Sequence, residues 1–207
     1  NLKTRAERDG DHYVLNGGKA FISGGGRSDI YVCMVRTGGD GPAGISCLVV
    51  EAGTPGLSFG AQERKLGWKS QPTSTVNFDN CRVPVANLVG EEGQGFKIAM
   101  SVLDIFRSTV GAAALGMARR ALDETLNRAS TRELFGGPLS DLQMVQGHLA
   151  DMALDVDAAA LLIYRAAWTK DQGASRVTRE AAMAKLFATE AAQKIIDKAV
   201  QIHGGDG

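Results

Sequence analysis

The apolar positions along this chain change their period once, and the change divides it. Up to about residue 90 they come in short runs or alternate: Tyr13-Val14-Leu15, Ala20-Phe21-Ile22, Ile30 to Val35, Ile45 to Val50 and Val76-Asn77-Phe78. Such runs predict strands, because successive side chains of a strand point to opposite faces. Lys3 to Arg8 also reads as a strand. Turn formers punctuate the runs at Asp9-Gly10-Asp11, Asn16-Gly17-Gly18, Gly24-Gly25-Gly26, Gly38 to Gly44 and Pro55-Gly56. Asn16-Gly17 predicts a hairpin turn, since both residues tolerate positive φ. An antiparallel barrel or sandwich is expected.

After Gly93-Gln94-Gly95 the apolar residues recur every three or four positions. Phe96, Met100, Leu103, Phe106, Val110, Ala114, Met117 and Ala121 predict one face of a helix of about nine turns, ending near Ser130. Gly136-Gly137-Pro138 breaks the chain, and Ser140 followed by Gln143 predicts a capping box. A second helix carries Leu142, Val145, Leu149, Met152, Val156, Ala159, Ile163 and Ala166, and ends near Gly173. That narrow stripe suits left-handed bundle packing. A third, from about Thr178 to Ile202, has an alanine face (Ala181, Ala184, Ala188, Ala191) that permits close approach. The expected fold is α+β and multidomain: a β domain over 1–91, then a long-helix bundle over 92–207 with three of four helices present.

Composition narrows the function classes. Lys+Arg and Asp+Glu both number 23 among 207 residues, so no basic field favours nucleic acid and no acidic tail favours disorder. Cys33, Cys47 and Cys81 show no CxxC spacing, and His12, His148 and His203 lie far apart, so neither a disulfide framework nor a metal site is expected. The apolar runs look too short and interrupted to span a bilayer, and no signal peptide is evident. A reducing, soluble compartment is the expectation. The chain starts at Asn1 rather than Met, and both ends are expected to be cut inside a larger architecture.

Five segments, in order, resemble the acyl-CoA dehydrogenase family. They are Asn16-Gly17-Gly18-Lys19-Ala20-Phe21-Ile22-Ser23; Thr54-Pro55-Gly56; Val83-Pro84 with Gly90, Gly93 and Gly95-Phe96; Arg132-x-x-Phe135-Gly136 with Gln143; and Gln201-Ile202-x-Gly204-Gly205-x-Gly207. Residues 44–87 most resemble its isobutyryl-CoA dehydrogenase branch. The resemblance implies removal of a proton α to a thioester carbonyl, with hydride passing from the β carbon to FAD. It implies an acyl-CoA substrate, an electron-transfer flavoprotein as acceptor and a homotetramer or dimer of dimers. It also implies the cytoplasm in a bacterium or the mitochondrial matrix in a eukaryote.

Residue by residue, the resemblance implies that Phe21 covers the flavin ring, that Ile22 lies on the same strand and that Ser23 donates near its N5. Arg132 and Phe135 match a pair reaching the FAD of a neighbouring subunit. Gln143, Gln201, Ile202, Gly204 and Gly205 match further contacts there. Phe96, Met100, Leu103, Asp104 and Arg107 match the helix lining the acyl-CoA channel. Asp104 would accept from a pantetheine amide, and Arg107 would act near the thioester. An intrahelical ion pair is the plain alternative for those two. No residue is nominated as the catalytic base. A glutamate beyond Gly207 is expected, because the in-chain alternative position is Phe106. Two other functions remain open: a flavin oxidase or monooxygenase on this scaffold, and a non-catalytic flavin- or partner-binding relative.

Overall fold

The computed structural model describes residues 2–207. The chain folds into two compact units, Asn1–Met100 and Ser101–Gly207. The first is a six-stranded sheet of β1 (Arg5–Asp9), β2 (His12–Ser23), β3 (Ile30–Arg36), β4 (Ile45–Glu51), β5 (Leu57–Phe59) and β6 (Thr73–Pro84). Their order across the sheet is β4-β3-β1-β2-β6-β5. All neighbours pair antiparallel except β1 and β3, which run parallel with Arg5 opposite Arg36. The strand period sorts a uniformly apolar run: Tyr31, Cys33 and Val35 are buried on β3, while Ile30 and Val32 face outward. Tyr13, Leu15, Leu48, Val50, Val76 and Val83 fill the same core.

Asn16-Gly17 is not a hairpin turn. Both residues lie inside β2, and the hairpin to β1 turns instead at Gly10. Gly17 has φ +128, and the β2–β6 register shifts between Leu15 and Gly17, so the glycine makes a bulge. A Cβ there would stand 3.0 Å from Thr4 Cα, which only glycine avoids. Asn16 fastens the bulge by accepting the Asn80 N–H at 2.8 Å. The same residue pair that favours a turn therefore serves a bend within a long strand.

The second unit is helical: the remainder of α1 (Gly95–Thr131), then α2 (Gln143–Asp171) and α3 (Thr178–His203). A small hairpin, β7 (Glu133–Leu134) and β8 (Gly137–Pro138), links α1 to α2. The capping box does not form. Ser140 sits in a 3₁₀ turn, Leu142 is the N-cap, and no side chain caps it. Gln146 donates to the Ser140 carbonyl at 2.9 Å instead.

The α2 and α3 stripes are buried largely as predicted, through Val145, Met152, Val156 and Ile163 on one and Ala181, Ala184, Ala188 and Ala191 on the other. The α1 face holds only in part. Phe106, Val110 and Met117 are exposed, while the core keeps Ala114 of that face and adds Leu115, Ala118 and Leu122. This helix is apolar on more than one side, so periodicity alone does not choose its inner face, and small residues win where helices meet closely. By length and composition α1 is also apolar enough to cross a bilayer, contrary to the sequence expectation. Its buried residues pack against α2 and α3 in one hydrophobic cluster.

Candidate functional site

In the β unit, β2 ends on the Phe21-Ile22-Ser23 segment. The register with β6 slips between Lys19 and Ile22, and Phe21 takes the left-handed φ of 55. A bulky residue there is strained, and such strain persists where neighbours over-determine it. Here it leaves the aromatic ring 74% exposed. Ile22 and Ser23 line a cavity of about 350 Å³ with Lys19, Tyr31, Val32 and Met34. Lys19 donates to the Met34 carbonyl at 2.6 Å, and burial lowers its pKa. Burial pushes the neighbouring Cys33 thiol up to about 11, so it stays protonated and unreactive at neutral pH.

In the helical unit, α1 places Asp104 almost wholly inside. Its Oδ2 accepts from Arg176 Nε at 2.8 Å and from the Thr178 hydroxyl at 2.9 Å. Burial raises its pKa, but those two hydrogen bonds and the charges of Arg176 and Arg107 outweigh that, and the net shift is downward. Arg107 is a weaker partner, with Nη1 3.9 Å from Oδ1. The intrahelical pair is therefore present, but the stronger bonds come from the α2–α3 connection and the start of α3. Oδ1 is buried without a hydrogen-bond partner. Leu103, next to Asp104, is partly exposed. Phe96 and Met100, earlier on α1, fall within the first unit, where Phe96 is 42% exposed and Met100 half-buried.

A second helical cavity, of about 390 Å³, gathers residues far apart in sequence. Arg132, Gln201, Ile202, Gly204 and Gly205 all line it. Gly204 caps α3 with φ +66, and a Cβ on Gly204 or Gly205 would meet nothing within 4 Å, so bare backbone faces open space. Phe135 and Gln143 stand outside this lining. Phe135 tips the β7–β8 hairpin with φ 58 and is 94% exposed. Gln143 is the exposed first residue of α2. Three polar residues that the sequence reading passed over also line the cavity: Arg128, His148 and His203. Arg128 was within reach of a spacing argument, lying one helical turn before Arg132. Among the described residues no carboxylate lines this space, and although Asp206 pairs with Arg128, Arg132 leaves it a cationic, glycine-edged hollow suited to an anion. Among the described residues no group of histidines, cysteines and carboxylates is placed to hold a metal ion.

Models of two adjacent domains match the chain: "Acyl-CoA dehydrogenase, C-terminal domain" over residues 93–207 and "Acyl-CoA dehydrogenase, middle domain" over 1–81. The chain belongs to the acyl-CoA dehydrogenase family. It is 51% identical over 207 residues to the mitochondrial isobutyryl-CoA dehydrogenase of Bos taurus, covering 100% of this chain and 50% of that protein. Butyryl-CoA dehydrogenase from Megasphaera elsdenii superposes with a TM-score of 0.95 at 41% identity, covering 99% of this chain and 54% of that one. A chain solved in work on the electron transferring flavoprotein of Acidaminococcus fermentans gives 0.93 at 43% identity, covering 99% and 54%. The chain thus spans about half the length of the relatives it matches. Members of the acyl-CoA dehydrogenase family are flavoproteins carrying FAD.

Proposed function

We propose that this chain forms the middle β domain (1–91) and much of the C-terminal helical domain (92–207) of an FAD-dependent dehydrogenase of short or branched acyl-CoA thioesters. One observation carries the reading. The residues that match the family's dinucleotide contacts, Arg132 and the Gln201–Gly205 segment, converge on a cavity that two arginines and, among the described residues, no carboxylate line. That lining fits the pyrophosphate of FAD, whose oxygens a guanidinium fork bonds in pairs. In the β unit, the exposed, backbone-strained ring of Phe21 separately fits the flat face of an isoalloxazine.

FAD, when bound, accepts the hydride leaving the β carbon. The protein's own residues do the rest. Phe21 shields one ring face from water. Ser23, exposed at the end of β2, donates a hydrogen bond near the ring nitrogen that gains electron density. Asp104, ionised through its Arg176 and Thr178 bonds, accepts from a pantetheine amide, and Arg107 beside it carries the positive charge that steadies the thioester end. No residue of the chain is assigned as the base: Phe106 cannot take a proton. Arg132 and Phe135 reach the FAD of a neighbouring subunit in a tetramer. The outward apolar side chains Leu154, Leu161, Tyr164 and Leu186 support such an assembly. An electron-transfer flavoprotein is the acceptor, in the bacterial cytoplasm or the mitochondrial matrix.

The test is a panel of acyl-CoA thioesters added anaerobically to the full-length flavoprotein, with bleaching of the flavin absorbance as readout. Isobutyryl-CoA and short straight-chain thioesters should bleach it, and an electron-transfer flavoprotein should restore the colour faster than air. Rapid peroxide formation in air would make the protein an oxidase. A purified protein that takes up no FAD would reject the reading altogether.

A further inference from the structure

The turn that closes α3 is tied back to α1 by one side chain. Arg128, in the last turn of α1, places Nη2 2.7 Å from Asp206 Oδ2 and 3.5 Å from the His203 carbonyl. His203 is the last residue of α3, and Gly204 to Asp206 form the 3₁₀ turn that follows. The guanidinium thus meets the negative end of α3 and the carboxylate just beyond it, where a cation is favoured. Its Nε is buried with no hydrogen-bond partner. A buried donor left unsatisfied is costly, so the side chain is held by its contacts to the turn rather than by satisfying all of its own nitrogens.

What lies between the two anchors gives the arrangement its meaning. Gly204 and Gly205 line the cationic cavity, and both lack the side chains that would fix their backbone by packing. Arg128 lines the same cavity beside Arg132, one helical turn away. We propose that Arg128 is a positioning residue: by latching Asp206 and the His203 carbonyl it holds the Gly204–Gly205 backbone open at the edge of the cavity, for the phosphate-bearing end of a dinucleotide. Arg132 supplies the ligand contact, and Arg128 supplies the shape. This rests on the FAD reading above and adds to it a residue pair, Arg128 and Asp206, that the motif residues do not include.

The experiment uses full-length apoprotein titrated separately with FAD, ADP and FMN. ADP probes the phosphate and adenine end, and FMN probes the isoalloxazine end. Arg128→Gln should weaken FAD and ADP binding roughly tenfold, the effect of losing hydrogen bonds to a charged group, and leave FMN binding unchanged. Asp206→Asn should weaken ADP in the same direction by a smaller factor. The double variant should be no worse than Arg128→Gln alone, because both changes open one latch. Arg128→Lys should recover part of the loss, since an ammonium still pairs with Asp206 but lacks the fork.

Equal losses for ADP and FMN would mean a general structural role and overturn the proposal. So would tighter ADP binding in Asp206→Asn, which would make Asp206 only a competitor for the arginine. Arg132→Gln separates this inference from the reading beneath it. If it weakens ADP binding while Arg128→Gln does not, the latch fails and the FAD reading stands. If the unaltered protein binds neither FAD nor ADP, both fail together.

Discussion

The β unit closes its core with large side chains, whereas the helical unit closes its core with small ones. On the sheet, Tyr13, Leu15, Val35, Leu48 and Val50 are each at most 1% exposed. In the helical unit the sealed positions of α3 are mostly alanines, at 181, 184 and 188, with Ile195 as the large exception, while Leu161, Tyr164, Trp168 and Leu186 stand at the surface. A sheet face leaves a layer about 10 Å deep to fill, so bulk is useful there. Helices 8–10 Å apart leave less room between backbones, so bulk is turned outward. The sheet therefore uses bulk to fill its core, although Phe21, Ile30 and Val32 remain outside it, and the helices turn most of theirs outward. The difference also separates two kinds of candidate site: a strained aromatic on a rigid strand in one unit, and a cationic hollow built from helix ends in the other.

The contrast can be broken by exchanging bulk. Leu15→Ala should destabilise the β unit by about 2–5 kcal/mol, the cost of a cavity in a sealed core. In the helical unit the harmful direction is the opposite one. Ala184→Leu should cost about 1–3 kcal/mol by overpacking. Urea unfolding of each variant measures both, and a neutral Ala184→Leu would show that the helices can move apart.

A smaller effect tests the electrostatics confined to the helical unit. Asp104→Asn should cost about 1.5 kcal/mol, the low end for hydrogen bonds to a charged group, because the Arg176 side chain is 59% exposed. The sign with pH follows from the downward shift. The contribution of Asp104 is present above the ordinary value of 3.8 and is lost as pH falls through its lower folded value. Acid unfolding followed by circular dichroism should therefore lose one component in the variant. An unchanged acid transition would remove Asp104 from the account.

The smallest effect has the opposite sign. Phe21→Gly should stabilise the β unit by about 1 kcal/mol, since glycine escapes the Cβ penalty at φ 55. It should at the same time weaken flavin binding. A variant that loses stability would show that the ring is packed in place rather than held under strain.

How much of this was legible beforehand differs by residue. The strand over Ile30 to Val35 was legible from its apolar run, but its inner face was not, because all six residues are apolar and only the fold buries Tyr31, Cys33 and Val35. The α2 stripe was legible because its apolar residues recur at helical spacing between polar ones. Asn16-Gly17 was not, since positive φ serves a turn and a bulge equally, and Thr4 on the neighbouring chain segment decides between them. The inner face of α1 was hidden because Phe106, Val110 and Met117 are as apolar as the residues actually buried. At the candidate site, Arg132 and Gly204-Gly205 stood out as motif residues. Arg128 and Asp206 did not: helical spacing sets Arg128 near Arg132, but the meaning of the pair lies in a 2.7 Å contact across 78 positions of sequence.

The sequence by itself determined the long strands and the three long helices in their order, the change from strand to helix near residue 95, and the family to which the chain belongs. Those depend on local periodicity and on short motifs, which each segment carries within itself. The tertiary structure alone decided which α1 face is buried, where the β2 bulge falls and which charges meet in the cationic cavity. Each of those depends on a partner distant in sequence, and only the folded chain brings that partner within contact distance.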